Sequence, residues 1–217
     1  MDETLEAFWQ EEVATYLPDP AAAVAAALEY VCCPVCEVLA HVPFDFFSRL
    51  PVRWPKEPDL QRAVIEAGGF CNHHSWRLAN MQSQAAVALV FVDVMAALSE
   101  HGPLLTGPCA VCRLEAIFTE RLLDALVEHL QSQSNQERFA QLFGLCYPHW
   151  RELLGRDLPA SLRDLLLSSQ SRYARQLRQH LQGFLDKNTP ALKQTRTQDE
   201  SRAARRAILK TAGNENI

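Results

Sequence analysis

The 217-residue sequence has no uninterrupted apolar run of the roughly 20 residues that a membrane-spanning helix needs. Its longest apolar stretch, Ala85 to Leu98, is short and carries Asp93, and reads as a buried helix. The start, MDETLEAFW, is acidic and has no basic region leading into an apolar core. No secretory leader is therefore expected, and the setting is expected to be cytoplasmic. Alternating apolar and polar residues are missing, as is any Asn-Gly between apolar runs, which argues against strands and hairpins. No histidine is followed two residues on by glutamate, so "PCAVC" at Pro108–Cys112 cannot belong to a zinc-deaminase signature, which needs H-x-E. Positive charge is scarce outside the C-terminus. Seven Lys/Arg and three Asp/Glu from Lys187 onward give +4, which leaves −9 for residues 1–186 out of a total of −5. That body offers no electrostatic footprint for nucleic acid, so any such role would rest on the tail.

What is present reads almost entirely as helix. Leu5, Phe8, Trp9, Val13 and Tyr16 follow a 3.6-residue period, which stops at "LPDP". Asp19 and Pro20 can open a second, alanine-rich helix. Leu114, Phe118, Leu122, Leu126 and Leu130 form one further stripe. Leu162, Leu166, Tyr173, Leu177, Leu181 and Phe184 form another, with Ser161 and Asp164 as its capping box. The fold class expected is all-α. The stretch 187–217 reads as a flexible basic tail in which "SRAARRAILK" can fold as a short helix on a partner.

Seven cysteines in a reducing compartment point to metal or redox chemistry rather than disulfides. They fall in a repeat. "CPVCEVLAHVPFDFFSRL" from Cys33 aligns with "CAVCRLEAIFTERLLDAL" from Cys109, and "GFCNHHSWRL" from Gly69 aligns with "GLCYPHWREL" from Gly144. Each copy holds CxxC and then Gly-apolar-CxxH. The first offers Cys33, Cys36, Cys71 and His74; the second offers Cys109, Cys112, Cys146 and His149. Three thiolates and one imidazole at tetrahedral geometry suit zinc. Gly69 and Gly144 are expected to end helices in the left-handed conformation. The metal would then pin the start of one helix to the start of another. Six thiolates against two zinc ions would take the formal charge from −5 to about −7.

The alignment also sorts the remaining residues. Cys32 aligns with Pro108 and His73 with Pro148, so neither is a shared ligand. Trp76 and Trp150 are expected to cover the sites from water. His41, His101, His129 and His180 are expected to be ordinary structural histidines. Ligand pairing stays open between closure within each copy, which duplication of a complete set favours, and a cross-braced exchange.

"CPVC" also invites a thioredoxin-type reading, but the βαβ setting is missing and CxxH is left without a purpose. Mixed Cys/His ligation of an iron–sulfur cluster is the rival cofactor at the same residues.

The doubled "CPVC…GFCNHH" and "CAVC…GLCYPH" pattern resembles an uncharacterised bacterial helical family with paired CxxC and GxCxxH motifs, over roughly residues 20–185. It departs from that pattern at Ala110, where proline would be expected as at Pro34. The resemblance implies a metal-binding, cytosolic bacterial protein and carries no activity with it.

The organisation expected is therefore N-terminal helices (1–30), a first module (31–105), a second module (106–186) and the tail, with one structural zinc in each module. The function expected is a non-catalytic interaction or adaptor role toward another protein, with no membrane contact and no oligomeric state readable. The alternative is a redox or electron-transfer protein using dithiols or iron–sulfur clusters.

Overall fold

Twelve α-helices and two short 3-10 turns make up residues 3–102 and 107–214, the part of the chain described by the computed structural model. No strand occurs among these residues. In order the helices are α1 (Glu3–Tyr16), α2 (Pro20–Ala27), α3 (Pro34–Leu39), α4 (Val42–Arg53), α5 (Pro58–Glu66), α6 (Asn72–Met81), α7 (Gln84–His101), α8 (Ala110–His129), α9 (Gln133–Phe139), α10 (Tyr147–Leu154), α11 (Ala160–Asp186) and α12 (Gln198–Ala212). Prolines account for much of the punctuation. Pro20, Pro34 and Pro58 each occupy the first position of a helix, where the missing N–H costs nothing and φ is already set. Pro43 stands at the start of α4, so the first CxxC is followed by a short helix and a break, whereas the second runs into the unbroken α8.

The helices form two compact units, and neither is a continuous stretch of chain. The first contains residues 1–19 and 39–121; the second contains residues 20–38 and 122–217. The expected division into successive modules at 31–105 and 106–186 does not match these units. The short connections between α1 and α2 and between α3 and α4 each carry the chain from one unit to the other.

In the first unit α1 packs on α5, and α4 packs on α6 and α7. Leu5, Trp9 and Val13 of α1 are buried, as the period predicts. Phe46, Phe47 and Phe70 meet edge to face at centroid separations of 5.3–6.1 Å, the arrangement that ring quadrupoles prefer. The buried Glu12 of α1 accepts two hydrogen bonds from the Arg53 guanidinium, which also reaches Glu57 and the Tyr16 hydroxyl. Removing one partner of such a pair strands a buried charge and costs about 3–5 kcal/mol. Asp93, the one charge in the apolar run, accepts a 2.8 Å hydrogen bond from the Trp54 indole. The expectation of a buried α7 holds on one side only. Val90 and Val94 are fully buried, but Leu89, Val92 and Met95 are exposed.

In the second unit α11 packs on α12, and α10 packs on both. Leu162, Leu166 and Leu177 of α11 are buried. The expected Ser161/Asp164 capping box is not formed, because α11 begins two residues earlier, with Pro159 at its N-cap and no side-chain cap. The box occurs instead at α12, where Thr197 and Glu200 bond each other's backbone N–H. The expected flexible tail is thus largely helical: α12 is capped, buries Ala203 and Lys210, and ties Glu200 to Lys187 at 2.8 Å. Residues 215–217 of that expected tail, like residues 1–2 of the expected N-terminal helices, lie outside the described residues.

Candidate metal centres

All four ligand pairs sit at helix N-termini. Cys71 is the N-cap of α6 and Cys146 the N-cap of α10, both with extended backbone (φ −63°, ψ 169° and φ −66°, ψ 163°). Cys33 and Cys109 stand directly before α3 and α8. In each pair the second ligand is three residues on, inside the first helical turn, so both side chains leave the same end of the helix. The free N–H groups and the positive end of the macrodipole lie there, which favours thiolate over thiol.

The glycines ahead of the CxxH pairs make the sharp turns that aim these helices. At the end of α5, Gly68 N–H bonds Ile65 O at 2.8 Å and Gly69 N–H bonds Val64 O at 2.9 Å. That is a Schellman closure, with φ of 71° and 95° at the two glycines. Gly144 has φ 70° before Cys146. At all three positions a side chain would be strained.

The eight side chains gather into two groups of four, Cys33–Cys36–Cys146–His149 and Cys71–His74–Cys109–Cys112. Closure within each copy is therefore corrected: the CxxC of one copy meets the CxxH of the other. The first group lies within the second unit and the second group within the first unit. In each group every donor atom is within 4.8 Å of every other. His149 Nδ1 is 3.5, 3.4 and 3.2 Å from the sulfurs of Cys33, Cys36 and Cys146. His74 Nδ1 is 3.3, 3.3 and 3.4 Å from those of Cys71, Cys109 and Cys112. The sulfur pairs Cys36–Cys146, Cys71–Cys112 and Cys109–Cys112 are 3.6, 3.7 and 3.3 Å apart. For metal–sulfur bonds of about 2.3 Å and metal–nitrogen bonds of about 2.0–2.1 Å, tetrahedral edges are about 3.5–3.8 Å. The groups fit one metal ion each, somewhat contracted.

Electrostatics divides the sulfurs of each group: the His149 and His74 imidazoles help bring Cys33 and Cys109 down, while Cys146 and Cys33 push Cys36 up, and burial with Cys109 pushes Cys112 up. Burial works against charged imidazoles, yet the neighbouring thiolates outweigh it. His149 rises to about 10 through Cys146 and Cys33, and His74 rises to about 10 through Cys109 and Glu115. Burial also opposes ionisation of Cys109, but His74 and two backbone N–H groups bring it down to about 6. Four donors this close hold protons between them, and a cation takes the place of those protons when it binds.

The two groups differ in their surroundings. Beside the first unit's group, Glu115 Oε1 is 3.4 Å from His74 Nε2, and neither atom has a hydrogen-bond partner among the described residues. A carboxylate on the far nitrogen fixes the tautomer that leaves Nδ1 free to bind metal. Beside the second unit's group stands a cation. The buried Lys210 ammonium donates to Phe143 O at 2.6 Å and Leu145 O at 2.7 Å, and lies 4.5 and 4.8 Å from the Phe143 and Tyr173 ring centroids. Burial lowers it to about 8, while the Cys33 and Cys146 thiolates pull the other way. Gly213, after α12, has φ 90°, and a Cβ there would come within 3.3 Å of Cys36 Sγ. The end of α12 thus covers this group, whose four residues are all buried; in the first unit's group Cys71 and Cys112 are half-buried. Glu115, Lys210 and Gly213 were not among the sequence candidates, although Glu115 follows Cys112 by one helical turn.

The other candidates fall outside both groups. Cys32 donates to Glu37, and burial with that carboxylate pushes its thiol up to about 12, so it stays protonated. His73 is exposed. Of the two expected covering tryptophans, Trp76 is 67% exposed and is not buried over its group, contrary to the expectation. The Trp150 indole donates to Leu166 O and so packs α10 on α11. His41, His129 and His180 join neither group, and the His101 side chain is outside the described residues.

Comparison with protein families, curated proteins and solved structures gives no match. The resemblance to the bacterial helical family therefore rests on the motif residues alone. Among the described residues no helix is long and apolar enough to cross a membrane.

Proposed function

We propose that each Cys3His group holds one zinc ion in a structural role, and that the chain is a non-catalytic helical module that engages another protein in the cytoplasm. The observation that carries the zinc reading is the spacing of the donors: four atoms per group, sulfur to nitrogen 3.2–3.5 Å, converging on one point. A multi-iron cluster spreads its ligands over several iron atoms and needs them further apart. Four protein ligands also close the shell of a tetrahedral ion and leave no position for a reacting water. Each thiolate set with its zinc carries −1, which the buried Lys210 ammonium offsets in the second unit.

Binding of zinc to finger peptides is worth about 10–16 kcal/mol, against about 5–15 for the stability of a whole domain. The metal would therefore be what holds each unit together. The tests are metal analysis and a visible spectrum of freshly purified protein. Two zinc per chain and a colourless solution are expected; iron with labile sulfide would overturn the reading. Affinity purification of the full chain would then identify the protein partner, and recovery of no partner protein would count against the adaptor role.

A further inference from the structure

Helix α7 carries the longest apolar stretch in the chain, yet one whole face of it meets solvent. Ala85, Ala88, Leu89, Val92, Met95, Ala96 and Ser99 are exposed, with Leu89 at 38%, Val92 at 61% and Met95 at 52%. Elsewhere among the described residues, exposed large apolar side chains come at most two to a helix. The solvent face of a surface helix is ordinarily charged, and a helix that is apolar all round is ordinarily buried. Between Gln84 and Ser99 the only charge is Asp93, which the Trp54 indole holds.

The order of residues along this face is symmetric about Val92. Three positions away on either side stand Leu89 and Met95, four away Ala88 and Ala96, seven away Ala85 and Ser99. Large faces large and small faces small when the helix is laid antiparallel on itself, with Val92 against Val92. A two-fold interface requires this self-complementarity. The spacing of three and four residues is that of a coiled-coil seam, and the alanines allow close approach.

The ends agree as well. Antiparallel pairing sets Glu100 near the N-terminus of the opposite helix, at Ser83 and Gln84, where a carboxylate is favoured. We propose that α7 is the interface of a symmetric homodimer, and that the occupant of its apolar face is α7 of a second copy. The strip from Ala85 to Ser99 is about 21 Å long. At the width of one helix, about 10 Å, it covers on the order of 200 Å², below the ~800 Å² per partner of a standard interface, so the dimer is weak and forms with rising concentration.

Sedimentation velocity of the full-length, metal-replete chain from about 1 µM to about 1 mM brackets the affinities of small interfaces. The wild type is expected to pass from monomer to dimer. Val92→Glu, which sets two carboxylates face to face on the axis, is expected to stay monomeric with unchanged helicity and metal content. A wild type that is monomeric throughout overturns the proposal, including the case where the chain instead binds lipid vesicles. So does a dimer that Val92→Glu leaves intact. If Val92→Glu disturbs the fold, a charge swap decides: Leu89→Glu and Met95→Lys chains should be monomeric alone and form a 1:1 heterodimer when mixed, and failure to pair would overturn the proposal. The metal content of each sample is read separately, so a loss of zinc cannot pass for a loss of dimer.

Discussion

Two double mutants separate exchanged ligand pairing from closure within each copy. Cys33→Ser and Cys146→Ser belong to different sequence copies but to the same group of four. Each single substitution leaves three ligands and should take metal content from two per chain to one under a competing chelator. The double substitution removes two ligands of one group, so metal content should stay at one. Its loss of stability should be little greater than that of either single. The coupling energy would then nearly equal one single-mutant loss, far above the ~0.3–0.5 kcal/mol scatter of independent sites. Cys33→Ser with Cys71→Ser strikes both groups. That pair should retain no metal, and its losses should add, because a group worth about 10–16 kcal/mol as a zinc site is lost from each unit. Metal per chain by elemental analysis, together with denaturant unfolding followed by circular dichroism, reads both quantities. Zero metal in Cys33→Ser/Cys146→Ser with one retained in Cys33→Ser/Cys71→Ser would refute the exchanged pairing.

Glu115→Gln should weaken metal binding at the first unit's group by about 10–100-fold, as loss of a carboxylate behind a ligating histidine does, and leave the other group unchanged; chelator competition would measure it, and equal affinity at both groups would count against the role of Glu115. Gly213→Ala should cost about 1–3 kcal/mol, because φ 90° with ψ −164° is a region almost reserved for glycine and the new Cβ would press on Cys36 Sγ. Denaturant unfolding that matches wild type would show that the turn relaxes freely. His73→Ala should keep two metals per chain, since His73 is exposed and outside both groups; loss of one metal would make it a ligand.

The grouping of the ligands shows how far sequence alone can reach. Cys33, Cys36, Cys71, His74, Cys109, Cys112, Cys146 and His149 were legible as candidate ligands because a CxxC or CxxH pair at a helix N-terminus is a local device, and its three-residue spacing is written in the chain. Which CxxC meets which CxxH was not legible. Both copies build the same local geometry, so either pairing satisfies the spacing, and the choice rests on how distant helices pack. The buried stripe Leu114, Phe118, Leu122 and Leu126 in α8 followed from its period. Half of α7 did not, since periodicity cannot say whether an all-apolar helix is covered by its own chain. Helix α12 was hidden for another reason. Its anchor is Lys210, a charge that reads as solvated until two backbone carbonyls are brought to it by the fold, although Thr197 and Glu200 stood in the sequence as a capping box.

The exchange also sets an order in time. Ligands of the first unit's group come from a short span, with Cys71 and Cys112 41 residues apart, so this group is complete once the ribosome has passed Cys112. Cys33 and Cys36 emerge earlier than any of them, yet Cys36 lies 113 residues before His149 and must wait for the chain to be nearly finished. Synthesis at about 5–20 residues per second keeps these two thiols without their partners for several seconds. During that interval Cys71 and His74 are the only CxxH pair within reach. Until Cys109 and Cys112 are made, the only quartet the nascent chain can offer is therefore the one that the finished fold does not contain.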